Sequence, residues 1–242
     1  MADDLSAVGR FLYEAGTLKQ TRRTGWWMAG VRDPESVAEH SWRTSLIATI
    51  IAKLEGADPA RAAYLAVWHD TQESRTGDVN HLGKKYAPAG DPQEVTADQT
   101  AGMPEVLASE FRDLIAEYEA KETAEAVCAR DADKLECLLQ GIEYKAQGYE
   151  NAQRWIDNSR GRLVTGTANR LADELLSQGT IDWLRTALGE GKESPDAQND
   201  PCLVQGRQGA VPARAGVILD PGDPSGRASG GPHAGGGVPS TV

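Results

Sequence analysis

Apolar residues recur at steps of three and four over Leu5–Leu18, at Leu5, Val8, Phe11, Leu12, Ala15 and Leu18, and predict a helix there. Gly25 and two tryptophans break the pattern in Lys19–Met28, which reads as a loop or short extended piece. Ser36 stands three residues before Glu39, the spacing of a capping box, and opens a second helix running to about Glu55. Val37, Trp42, Leu46, Ile47, Ile50, Ile51 and Leu54 are expected on or near one face of it. Gly56 ends that helix. Asp58-Pro59 then supplies an N-cap followed by a proline in the first turn, and predicts a third helix over Pro59–Asp70. This third helix is expected to bury Ala62, Ala63, Leu65, Ala66 and Val67. A loop or set of short turns follows over Ser74–Asp91. Helical patterning resumes over Pro92–Thr100, Glu105–Tyr118 and Thr123–Gln147, with shorter helices at Glu150–Ser159, Thr167–Ser177 and Ile181–Leu188. No segment alternates with period two, so the expected class is all-α.

After Gly189 the chain turns rich in Gly and Pro and loses every helical stripe. Such a segment buries too little apolar surface to offset its ordering entropy. The expected organisation is therefore one domain over 1–189 and a disordered tail over 190–242. Hydrophobic residues make up 40% of the chain and charged ones 25%, as in an ordinary protein with a core. The net charge of -11 argues against gripping a nucleic-acid polymer or an anionic membrane through the overall field. Three cysteines without a CxxC fit a reducing compartment, and the acidic N-terminus carries no leader pattern, so a cytoplasmic location is expected.

Against this background a few polar residues stand out. His69 and Asp70 are adjacent at the end of the third helix, in LAVWHDTQESRTGD. His40 lies in the first turn of the second helix. Asp133 lies within the apolar patterning of the long helix, in RDADKLECLL, where an unpartnered carboxylate is costly. Asp131 falls about 200° around that helix from Asp133, so only one of them faces any common site. Two imidazoles and two carboxylates suit Mn, Fe, Co or Mg better than structural zinc. On spacing alone a polar helix end, a surface histidine and a salt-bridged aspartate describe these residues equally well.

Four motifs in order resemble the HD-domain metal-dependent phosphohydrolases, whose pattern is H…HD…D on separate helices. The likeness is closer to the 5′-deoxynucleotidase branch. Its features read here as Arg23-Thr24-Gly25-Trp26, Glu35-Ser36-Val37-Ala38-Glu39-His40-Ser41, His69-Asp70-Thr71-Gln72-Glu73 with Gly77-Asp78, and Asp133-Lys134-Leu135-Glu136. The resemblance covers about residues 8–150 and implies an HD-type helical bundle. It implies His40, His69, Asp70 and Asp133 as ligands of one divalent metal ion, Mn, Co, Fe or Mg. It implies Glu73 as the acid/base residue and Asp78 as a site aspartate touching substrate or a ligand's partner. Arg23 and Trp26 match a loop that closes on the nucleotide, with Arg22 and Trp27 as substitutes.

The implied activity is hydrolysis of deoxyribonucleoside 5′-monophosphates. A triphosphohydrolase and a nucleotide-binding module without turnover remain alternatives. The implied partner is a small nucleotide, and members of the family are often homodimers. Only His81 is left over for a second metal, so a two-metal site is not expected.

Overall fold

A computed structural model describes residues 5–87 and 90–190. Among the described residues the regular elements are helices: α1 Ser6–Ala15, α2 Val37–Glu55, α3 Pro59–Trp68, α4 Glu73–Thr76, α5 His81–Tyr86, α6 Pro92–Gln99, α7 Glu105–Ala120, α8 Ala124–Ala146, α9 Gln153–Arg160, α10 Gly166–Ser177 and α11 Asp182–Ala187. The all-α expectation holds. The tail expected to be disordered lies outside the described residues from position 191 onward. No helix among the described residues is long and apolar enough to cross a membrane.

Local chemistry starts and stops the elements that carry the site. The Ser36 hydroxyl accepts from the Glu39 N–H at 3.2 Å, and the Glu39 carboxylate accepts from the Ser36 N–H at 2.6 Å, closing both halves of the capping box. Asp58 caps α3 through the Ala60 N–H, and Thr123 caps α8 through the Ala126 N–H. Gly56 ends α2 with φ of 82°, a conformation that costs a residue with a Cβ.

Helices α2, α3 and α8 form the centre. Their buried contacts are mostly small: Ala48, Ile51 and Ala52 on α2, Ala62, Leu65 and Ala66 on α3, Ala129, Ala132 and Leu135 on α8. Alanine at these positions lets three helix axes approach closely and leaves a polar cluster within reach of all three. Each fully buried leucine, such as Leu135, contributes about 1.5–3 kcal/mol over an exposed one. A second cluster packs Trp26, Ala29 and Val31 against Tyr144 of α8 and Ala152. Gly141 makes that approach possible: a Cβ there would stand 2.8 Å from Ile156 Cγ1 and 3.5 Å from Trp26. A stack of Phe11, Trp68 and Phe111 pins α1 to α3 and α7.

Several expectations are corrected. The buried face of α2 is Val37, His40, Ser41, Thr44, Ala48, Ile51 and Ala52. Trp42, Leu46, Ile50 and Leu54, four residues apart, point outward, with Trp42 64% exposed. Hydrophobicity alone favoured the larger side chains, but only the small and polar stripe fits between two close helices. Val67 of α3 also faces outward. Helix α3 stops at Trp68, two residues before the expected end. The expected loop after it contains α4 and α5. The Lys19–Met28 segment is not extended: 3-10 turns occupy Gly16–Lys19 and Thr24–Ala29, and Arg22 bridges to Ser36 between them.

Candidate metal and catalytic site

His40 enters from the first turn of α2 and is completely buried. Its Nδ1 lies 2.5 Å from Glu136 Oε2 on α8, and a carboxylate partner makes Nδ1 the protonated nitrogen. The other Glu136 oxygen accepts from Arg43 at 3.0 and 2.8 Å. Arg43 stands one turn after His40 and also holds Gln140 and Glu143 on α8, both at 2.7 Å. Positions 136, 140 and 143 recur at helical spacing, so one guanidinium clamps one face of α8. The clamp fixes the ring of His40 with Nε2 facing inward, 3.3 Å from Asp133 Oδ1 and 3.8 Å from Asp70 Oδ2. Asp133 reaches this point because it precedes Glu136 by one helical turn.

His69 and Asp70 come from the end of α3. In a continuing helix, neighbours point about 100° apart. Here the helix stops at Trp68, and tighter turns follow: the Thr71 N–H donates to Trp68 O and the Glu73 N–H to Asp70 O, both at 3.1 Å. Both side chains nonetheless reach one place, with His69 Nε2 and Asp70 Oδ2 3.1 Å apart. His69 Nδ1 donates to Ala66 O at 2.6 Å, which leaves Nε2 as the lone-pair nitrogen. That Nε2 is 3.1 Å from Asp70 Oδ2 but makes no hydrogen bond. Ligand atoms of His40, His69 and Asp133 all lie within 4.8 Å of one another.

The electrostatics of the cluster are lopsided. Asp70, Asp133, Glu73 and Glu136 gather in a largely buried region. Burial opposes ionisation of Asp70, but His69, Arg23 and His40 outweigh it and hold the carboxyl well below its usual range. Asp133 behaves alike, with Lys134, His40 and His69 overcoming its burial. Burial and Arg23 work against a charge on His40, yet Glu136 and Asp133 keep its pKa near 10. Glu73 moves the other way: burial and the neighbouring Asp70 push it up to about 9. Among the described residues its Oε2 is buried without a hydrogen-bond partner, as is His69 Nε2. A divalent cation bound by nitrogen and oxygen donors would satisfy what this cluster leaves open, so the residues fit one ion.

Arg23 is the cation on the solvent side. Its guanidinium lies 3.2 Å from Asp70 Oδ2. Asp78 holds the segment that carries it, since Asp78 Oδ2 accepts the Thr24 N–H at 2.5 Å and Asp78 O accepts the Thr24 hydroxyl at 2.6 Å. A cavity of about 350 Å³ opens over the cluster, lined by Arg23, His69, Asp70, Glu73 and Asp133. His81, Lys84, Arg130 and Lys134 also border it. Asp78 is not in its wall. A larger cavity of about 410 Å³, between Arg22, Pro34, Trp42 and Tyr144, does not include these ligand residues.

The structure thus brings His40, His69, Asp70, Asp133, Glu73 and Arg23 together, with Asp78 one contact away. It places Trp26 elsewhere. That indole is 2% exposed, covered by Tyr144 and Trp155, and its N–H donates to Glu35 at 3.0 Å. The expected contact with a sugar or base is therefore not available to Trp26, whose role here is core filling; its neighbour Trp27 is half-exposed. Asp131 turns away as its helical angle demands, and accepts hydrogen bonds from Val164 and Thr165. Sequence reasoning missed the part of Arg43 and Glu136 in holding His40. Glu136 was visible in the Asp-Lys-x-Glu motif, but its partner is 96 positions away.

Comparison with known proteins agrees with this geometry. The family described as HD domain matches residues 15–175. The bovine protein named 5′-deoxynucleotidase HDDC2 is 32% identical over 179 residues, covering 69% of this chain and 82% of its own. The Schizosaccharomyces pombe 5′-deoxynucleotidase hdd1 is 31% identical over 198 residues, covering 79% and 93%. A solved structure of a protein from Magnetospirillum magnetotacticum, described as a predicted metal-dependent phosphohydrolase, superposes with a TM-score of 0.51 at 28% identity. It covers 71% of this chain and 95% of its own.

Proposed function

This chain belongs to the HD-domain family of metal-dependent phosphohydrolases, and from that premise we propose that it hydrolyses deoxyribonucleoside 5′-monophosphates to deoxynucleoside and phosphate. The observation that carries the reading is the convergence of His40, His69 and Asp133 beside two buried atoms without partners, His69 Nε2 and Glu73 Oε2. In the proposed site His40, His69, Asp70 and Asp133 hold one ion of Mn, Co, Fe or Mg. When bound, the ion supplies Lewis acidity and positive charge at the phosphate.

The remaining work falls to the chain's own side chains. Arg23 stands at the cavity wall with a planar guanidinium that can take two phosphate oxygens at once. Asp78 positions Arg23 through Thr24 and keeps the entering phosphate from displacing the segment. Glu73 moves a proton, either from the attacking water or to the leaving 5′-oxygen. Burial and the neighbouring Asp70 raise its pKa to about 9, which suits it to holding a proton at neutral pH, and a bound dication would favour its ionised form.

The test is a panel of nucleoside mono- and triphosphates with Mn²⁺, Co²⁺ or Mg²⁺, run beside Glu73→Ala and Asp133→Ala. The expected result is phosphate release from deoxynucleoside monophosphates, lost in both variants. Release of triphosphate instead would move the assignment to a triphosphohydrolase. No release from any substrate would end the enzyme reading.

A further inference from the structure

A second cavity of about 390 Å³ adjoins the catalytic one. Arg130 and Lys134 line both. Lys121 and Arg162 also line the second cavity, beside Val127 and Val164. We propose that this groove is an anion subsite that takes a second phosphoryl group carried by the nucleotide. The inference rests on the monophosphatase reading above and adds to it a binding preference for nucleotides with an additional phosphate.

Charge is the main argument. The chain carries a net charge of -11, so four cationic side chains in one groove are not a sample of its general surface. The one acidic residue in the groove wall does not offset them. Asp131 is buried, and its carboxylate is already engaged by the Val164 N–H at 3.0 Å and the Thr165 N–H and hydroxyl, both at 2.7 Å. Lys121 and Arg162 have no ion-pair partner among the described residues.

The two cations shared with the catalytic cavity are only partly committed. Arg130 lies over the Tyr118 ring at 4.9 Å and meets Glu119 at a long 3.4 Å. Lys134 pairs with Asp133 at 2.6 Å and still borders the groove. On the far wall, His81 is harder to protonate than usual, through burial first and then the nearby Arg162, Lys84 and Lys134. Arg162 and Lys134 of the groove thus lie close enough to His81, in the wall of the catalytic cavity, to act on its charge. Size points the same way, because about 350 Å³ is at the small end of ligand sites and the groove doubles the space.

A second phosphoryl group can sit on the 5′ end or at the 3′ position, and the experiment separates them. Calorimetric titration of the full-length, metal-free protein compares deoxyadenosine 5′-monophosphate, 5′-diphosphate and 3′,5′-bisphosphate, with inorganic pyrophosphate as the free-anion probe. At least one two-phosphate nucleotide should bind about tenfold more tightly than the monophosphate, and the preference should shrink as salt is raised. Arg162→Gln and Lys121→Ala, tested separately on exposed positions, should each cut that preference by about two- to fivefold. Equal affinity for all three nucleotides overturns the proposal. So does pyrophosphate binding as tightly as the nucleotides, which would make the groove a free-anion site. Turnover of the monophosphate is measured on the same preparation with metal. Turnover without the binding preference defeats only the subsite; the preference without turnover defeats only the hydrolase reading.

Discussion

The two sides of the metal cluster are built differently. On the α2–α8 side every polar atom has a partner: His40 is fixed by Glu136, Glu136 by Arg43, and Arg43 by Gln140 and Glu143. On the side formed by the end of α3 and the start of α4, His69 Nε2 and Glu73 Oε2 are buried with none. The first side behaves as scaffold, its geometry set before any ligand arrives. The second holds the unsatisfied donors and acceptors, and so the reactivity. Folding free energy and chemistry are thus drawn from opposite walls of one site.

Substitution should separate the two walls. On the reactive wall, Glu73→Gln should lower kcat by about 10²–10⁴-fold, the usual contribution of a positioned acid or base, while leaving the melting temperature of the metal-free protein unchanged or higher. Steady-state kinetics with a thermal melt checks both halves. A loss of stability matching the loss of rate would dissolve the contrast.

On the scaffold wall, Glu136→Ala strands a buried imidazole and a guanidinium. It should cost about 3–5 kcal/mol in urea unfolding and weaken metal binding about 10–100-fold. Farther from the cluster, Gly141→Ala drives a Cβ to 2.8 Å from Ile156 and should cost about 1–3 kcal/mol, by overpacking the seam that holds Trp26.

The smallest effect concerns pH at the edge of the fold. The Arg75 hydrogen bond, helped by Gln99 and Ser74, lowers the pKa of Glu14 below its usual 4.5. A depressed carboxyl stabilises the fold above the unfolded value and loses that contribution as pH falls through the folded one. Glu14→Gln should therefore flatten the stability curve below about pH 5, by less than about 1 kcal/mol after solvent screening. Unfolding midpoints over pH 3–7 would show it.

These contrasts also explain what was legible in the sequence. Caps were readable because their partners are local: Ser36 and Glu39 are three residues apart, and Asp58 reaches Ala60. The candidate ligands His40, His69, Asp70 and Asp133 were undecided on spacing alone and became readable through their family likeness. The inner face of α2 was not, because hydrophobicity favoured Trp42 and Leu46 while close packing selected Ala48 and Thr44. Nor was the clamp on His40, since nothing near position 40 announces Glu136. Trp26 was misplaced because a tryptophan beside a binding arginine looks the same whether its ring meets a ligand or Tyr144.

The stop of α3 at Trp68 has a consequence for how the gene can vary. Two adjacent codons supply two candidate ligands at the point where α3 gives way to tighter turns between Trp68 and Glu73. A one-residue insertion between His69 and Asp70 would swing Asp70 about a further quarter turn around from His69. The protein would keep every ligand and much of its core, and lose the site. Tolerance to length change should therefore be lowest over these few residues, although they form neither a helix interior nor a large part of the hydrophobic core.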